Sequence, residues 1–213
     1  LRITFFALLI GIALGIVVAA VRSTYDKNKE AMSKHKGVGY YVFTVINAIC
    51  KLYLTVIRGT HVVVQLLIMY FVIFTFSRND TMVGALTLGI NSGAYIAEII
   101  RSGIQSIDLG QTEAARSLGM TPWQTMQHII LPQAIKNILP AIANEFVTII
   151  KESSICWTIR VQEIMSAVNS IKAATYTVGE AAIIAAGVYF CLTFPTSKII
   201  EYFERRMSRG DRR

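Results

Sequence analysis

Long apolar runs broken by short polar ones set the pattern of this chain. Residues 1–21 are almost wholly apolar, and an α-helix of that length rises about 30 Å, the thickness of a bilayer's hydrocarbon core. Further apolar runs occupy residues 61–76, 81–100, 138–159 and 177–200. The pattern predicts an all-α integral membrane protein with five transmembrane helices, all in one transmembrane domain over residues 1–213. Residues 40–60 are amphipathic and aromatic-rich, which suits a helix that starts along the interface before turning inward. Residues 77–80 read as a short turn on the outer face, and the mixed polar stretch 160–176 as an outer loop or short helix. Pro195 is expected to kink the inner part of the last span.

Polar and small residues inside these runs have positional meaning. Ala7, Gly11 and Gly15 recur every fourth residue, a stripe that lets another helix approach closely. In the third run Thr87, Asn91, Ala94 and Glu98 share a helical face that lipid would not tolerate, so it looks into the protein or a wet pathway. Glu98 and Arg101, three apart, are placed to pair with each other. Lys151 and Glu152 fall near the middle of the fourth run, where a charge costs about 2.5–3.5 kcal/mol. Asn144, Thr148 and Glu152 share one face there, flanked by Glu145 and Lys151. Two readings stay open for this cluster: a substrate pathway, or a charge network that holds two subunits together. His61 begins the second run either as an interfacial residue or as a pH-sensing one.

Composition agrees: 54% of the residues are hydrophobic and 16% charged, against roughly a quarter charged in a soluble domain. The net charge of +8 is not spread as in a nucleic-acid surface, because basic and aromatic residues do not interleave. Arg22, Lys27, Lys29, Lys34 and Lys36 share one loop with two acids, and residues 201–213 form a basic tail. By the positive-inside rule both are cytoplasmic, with the amino end outside and the carboxyl end inside. A signal peptide fits less well, since only Arg2 precedes the first run and Ala19-Ala20 is a weak cleavage site. The first residue is Leu1, not Met, so an upstream segment is expected, short or as large as a binding domain. Cys50, Cys156 and Cys191 lie far apart in apolar surroundings, without metal-ligand spacing, and are expected to pack. No phosphate-cradling Gly-x-x-x-x-Gly-Lys-[Ser/Thr] loop occurs, so an ATPase, where one is needed, is another polypeptide.

Residues 111–140 are too polar to cross a bilayer yet dense in helix signals. Thr112 can cap a helix that opens with Glu113-Ala114-Ala115, Gly119 can end it, and Thr121-Pro122 can start a second. Two short helices along the membrane surface are expected. Glu113-Ala114-Ala115, Gly119, Ile129 and Leu131-Pro132 reproduce the EAA pattern of bacterial ABC importer permeases, and the chain resembles that family. More narrowly it is similar to the polar amino acid permeases, with the MetI-like transmembrane domain, through Arg58-Gly59-Thr60, the run 91–98, Leu131-Pro132-Gln133-Ala134 and Asn144-Glu145-Phe146. It departs from that family at His61, where a proline is usual, at Trp157, and at Arg160, where a glycine is common.

The resemblance implies a type I importer subunit whose cytoplasmic coupling helix, in residues 111–132 between spans three and four, docks on an ATPase through Glu113, Ala114, Ala115, Gly119, Met120, Leu131 and Pro132. It implies two permease subunits, with a homodimer favoured, two ATPase subunits that bind ATP and Mg, and an external or fused substrate-binding protein. The cargo is then a polar or charged amino acid such as glutamine, glutamate or arginine, moved by alternating access in the bacterial inner membrane. No residue of the chain is expected to be catalytic, and the pathway is assigned to Asn91, Thr148, Lys151, Glu152 and Ser153. Two rivals remain: a channel or ion-coupled transporter using Glu98, Lys151 and Glu152, and a purely structural or regulatory membrane subunit.

Overall fold

The structure, a computed structural model, describes residues 1–34 and 37–208, and every regular element among them is helical. The helices are α1 (Arg2–Lys34), α2 (Val38–Gly59), α3 (Val62–Ile68), α4 (Asp80–Gln105), α5 (Leu109–Ser117), α6 (Pro122–Thr125), α7 (Leu131–Glu152), α8 (Ile164–Thr175) and α9 (Gly179–Ser208). A π turn, Met69–Ile73, extends α3, a second, Met126–Ile130, joins α6 to α7, and a 3-10 turn, Ser153–Ile159, follows α7. Among the described residues α1, α2, α4 and α9 are long and apolar enough to cross a membrane; α7 is as long as α2 but carries more charge.

Helix α4 is the centre. In its most apolar stretch 67% of the residues are buried, against 6% in α2 and 6% in α9. It runs parallel to α1, with Ala7 opposite Gly89, Gly11 opposite Ser92 and Gly15 opposite Ile96. The small stripe on α1 meets Gly89, Ser92 and Ile96 on α4, and the seam has no room for more. A Cβ on Gly15 would fall 2.5 Å from Ile96 Cγ2, and one on Gly89 2.7 Å from Ile10 Cβ. Since lipid tails are as apolar as side chains, such close backbone approach is what holds membrane helices together. Ile3, Ala7, Leu66, Ala85, Leu88, Ile149, Cys156 and Ile159 form the main core, which ties α1, α3, α4, α7 and the 3-10 turn. Val168 of α8 packs on Ala181 and Ala185 of α9.

Several expected boundaries move, each for a physical reason. The basic segment after residue 21 is not a loop: α1 continues to Lys34, about 50 Å in all for its 33 residues. Lys, Glu, Met and Ala favour helix, so the helix continues past the apolar run. Lys36, and residues 209–213 of the expected basic tail, lie outside the described residues. The expected second span at 61–76 is not one by itself. Its helical part, Val62–Ile73, rises about 18 Å, and the longer apolar helix of this region is α2, which was expected at the interface.

Further along, Asp108 rather than Thr112 caps α5, accepting a bond from the Gly110 amide at 2.6 Å, so Thr112 lies inside the helix. Gly119 follows α5 with φ +82°, and Thr121 opens α6 with a reciprocal capping box to Gln124, as the sequence indicated. The expected second surface helix is instead the first turn of a helical run from Pro122 to Glu152. Pro132 has no N–H to continue the ladder, and the run passes through a π turn just before it; the side-chain amide of Gln133 donates to the Ile129 carbonyl at 2.8 Å. The expected fourth span, 138–159, accordingly shifts to α7, and Lys151 and Glu152 lie at its carboxyl end rather than mid-helix. The last span extends past residue 200 with Pro195 inside an unbroken α9. Of the cysteines, Cys156 is buried in the core and Cys50 half-buried, while Cys191 is exposed on α9.

Candidate functional site

Two regions hold the sequence-predicted residues. The first is the α5–α6 corner. Helix α5 is capped at both ends and turned by Gly119, and Arg116 closes the turn by donating to the Met120 carbonyl at 2.5 Å. Of the expected coupling residues, Ala115 is buried and Met120 half-buried, whereas Glu113, Ala114, Gly119, Leu131 and Pro132 are exposed. The corner also exposes large apolar side chains: Leu109 at 77%, Leu118 at 84% and Trp123 at 72%. Apolar groups on a helix pair too polar for lipid mark a surface suited to a protein partner.

The second region lies where α2, α3, α4 and α7 meet. Asn91 is buried, and its amide donates to Gln65 Oε1 at 3.0 Å. Gln65 in turn donates to the Ile57 carbonyl at 2.8 Å and to Thr60 Oγ1 at 2.8 Å, closing the α2–α3 break over the middle of α4. Tyr53 adds a bond to the Ile90 carbonyl at 2.5 Å. The polar face of α4 therefore looks into the protein, with Thr87, Asn91 and Ala94 all buried. Asn91 ties α4 to α3 here. Glu98 pairs with Arg101 as expected, and Arg58 of α2 joins them at 3.7 Å while lying over the Tyr95 ring.

On α7, Glu145 and Glu152 are seven residues apart on one face, both half-buried. Glu152 lies within electrostatic reach of Glu145, Lys151 and His61, and Glu145 faces Ser92 of α4. His61 itself caps α3, its Nδ1 accepting from the Val63 amide at 3.2 Å. Thr148 and Ser153 are half-buried, with Oγ atoms donating to the Asn144 and Ile150 carbonyls, and Lys151 is exposed. The structure thus brings Thr148, Lys151, Glu152 and Ser153 together at the end of α7 and leaves Asn91 in the α4 network. Sequence reasoning missed Gln65, although a lone glutamine inside the apolar run 62–69 was a signal that it bonds within the protein. It also missed Arg58 as the third member of the Glu98 cluster.

Residues 36–209 match the family described as binding-protein-dependent transport system inner membrane component. The chain is 36% identical over 214 residues to the arginine transport system permease protein ArtQ of Bacillus subtilis, with 99% of this chain and 90% of that one covered. It is 32% identical over 212 residues to the nopaline transport system permease protein NocM of Agrobacterium fabrum, covering 94% and 81%. A crystal structure of an amino acid ABC transporter with histidines superposes with a TM-score of 0.83 at 40% identity, over 96% of this chain and 89% of that one.

Proposed function

The chain belongs to the family of binding-protein-dependent transport system inner membrane components, and from its place there as an amino-acid ABC permease, itself not an ATPase, we propose how it works. It is a multi-pass protein of the bacterial inner membrane, and this family sets the channel and ion-coupled readings aside. Two copies of the chain form the path, and two cytoplasmic ATPase subunits, which bind ATP and Mg, dock on the α5–α6 corners. A substrate-binding protein, free or fused, delivers the amino acid at the opposite face. The amino end lies outside and the carboxyl end inside, in line with the basic inner end of α1.

The observation that carries the substrate class is the carboxylate pair Glu145 and Glu152 on the inward face of α7. Carboxylates within a membrane domain are costly and need a cationic or hydrogen-bonding partner. An amino acid with a basic or amide side chain supplies one, and arginine and nopaline are the cargoes named for two relatives. Glu152, with Thr148 and Ser153 beside it, receives the cargo's positive end; Lys151 lies on the path's exposed side. A site that accepts on one side and releases on the other binds more tightly in one conformation, and closure of the ATPases selects between the two.

The test is Glu152→Gln in the reconstituted permease–ATPase complex, with uptake of arginine, glutamine and glutamate compared. Removing the charge is expected to lower arginine uptake about tenfold, the loss of one charge-assisted hydrogen bond, and to leave glutamine uptake less affected. An unchanged ranking of the three amino acids would place selection outside this chain.

A further inference from the structure

Arg160 ends the 3-10 turn with φ +68°, in the left-handed region that glycine enters freely and a long side chain does not. It lines a cleft of about 820 Å³ together with Arg78, Asp80, Ser153, Gln162 and Glu163. Among the described residues neither Arg78 nor Arg160 forms an ion pair. Of the two acids in the cleft, Glu163 is the more fully engaged. Glu163 accepts from the Ser166 amide at 2.8 Å and from the Tyr189 hydroxyl at 3.1 Å, and Asp80 faces the Tyr70 hydroxyl. Arg2 lines the cleft wall as well, so its three arginines outnumber its two carboxylates, and one of those arginines sits on backbone that a glycine would relax. Strain retained at such a wall points to a use for the side chain.

We propose that this cleft is an entry site for a free amino acid, in which Arg160 and Arg78 receive the α-carboxylate and Asp80 faces the α-ammonium. A guanidinium matches a carboxylate with two parallel hydrogen bonds. Concavity, and arginine, aspartate and glutamine side chains within one small space, fit a zwitterion better than they fit the broad face of a protein. Ser153 lines the cleft one residue from Glu152, and neither Glu145 nor Glu152 lines it. The inference rests on the importer reading.

The experiment uses the permease–ATPase complex in lipid nanodiscs without a delivering protein, in the Glu152→Gln background so that the deeper site contributes little. Binding of L-arginine and L-glutamine is compared with that of L-argininamide and L-glutaminamide, which lack the carboxylate. Arg160→Gly is expected to raise the unfolding midpoint, by relieving the left-handed residue, and yet to weaken binding of both acids about tenfold. Affinity for the amides should not change, and Arg78→Ala should repeat the selective loss without the gain in stability. Equal binding of the acids before and after Arg160→Gly, or no binding at all, overturns the proposal. So does a variant that alters only affinity for the delivering protein, which would assign the cleft to docking. ATP-driven uptake by the otherwise native complex separates the two failures: if it is intact, only the entry site falls, and if it is absent, the importer reading falls with it.

Discussion

Replacing Gly119 by valine is expected to abolish ATP-driven uptake while leaving the helices assembled. At φ +82° a β-branched residue is a severe outlier, and the strain, about 1–3 kcal/mol, can be relieved only by changing the turn. Nothing lies within 4 Å of where its Cβ would stand, so the effect is one of backbone conformation and not of a clash. The turn sets α5 against α6, and with them the exposed faces of Leu109, Leu118 and Trp123. With the ATPase docked on this corner as proposed, a changed turn presents these groups to it at the wrong angle. The check is ATPase co-purification together with uptake: the variant should form a permease dimer that binds the ATPase weakly and transports little. Gly119→Asn, which tolerates left-handed backbone, should recover much of the loss. Full activity of the valine variant would show that the angle of this corner carries no signal.

The second large effect is on folding. Gly89→Leu should prevent assembly of the protein, because its Cβ alone would stand 2.7 Å from Ile10 Cβ and 3.1 Å from the Ala7 carbonyl oxygen. A flexible side chain could turn away, but a backbone oxygen moves only if α1 moves. Overpacking at this seam costs about 1–3 kcal/mol even when relaxation is possible, and here the whole α1–α4 contact must open. Gly187→Leu on α9, where nothing lies within 4 Å, is the matched control. Monodisperse protein, followed by fluorescence-detected size exclusion in detergent, should be lost for Gly89→Leu and kept for Gly187→Leu. Normal yield of both would mean that α1 and α4 do not pack as described.

How much of this could be read from the chain varies by the kind of signal. Helical content, the small stripe of Ala7, Gly11 and Gly15, the inward face of α4 and the Glu98–Arg101 pair were legible, since each depends on spacing within one helix. So were Gly119 and the Thr121 cap, where residue type and local conformation are tightly linked. Helix lengths were not, because hydropathy reports where the lipid ends and not where the helix ends. The charged end of α1 and the run from Pro122 through Leu131-Pro132 into α7 both illustrate this. The same limit placed Lys151 and Glu152 mid-span, when they stand where α7 gives way to the 3-10 turn. Contacts between distant segments were out of reach. Gln65 with Asn91, Arg58 with Glu98 and Tyr189 with Glu163 are separated by 26 residues or more, and no local pattern announces them. The family resemblance is what assigns a coupling role to the α5–α6 corner, and the geometry separates its buried Ala115 from the exposed Glu113 and Ala114.

As an importer subunit, this chain is expected to move amino acids only when an attached ATPase turns over. The direct measurement is uptake of a labelled amino acid panel into vesicles that hold the permease with its ATPase and binding protein, with ATP, with a non-hydrolysable analogue, and with neither. Accumulation of arginine or a related polar amino acid above its external concentration, with hydrolysable ATP alone, is the predicted result. Equal flux in all three conditions would contradict the account.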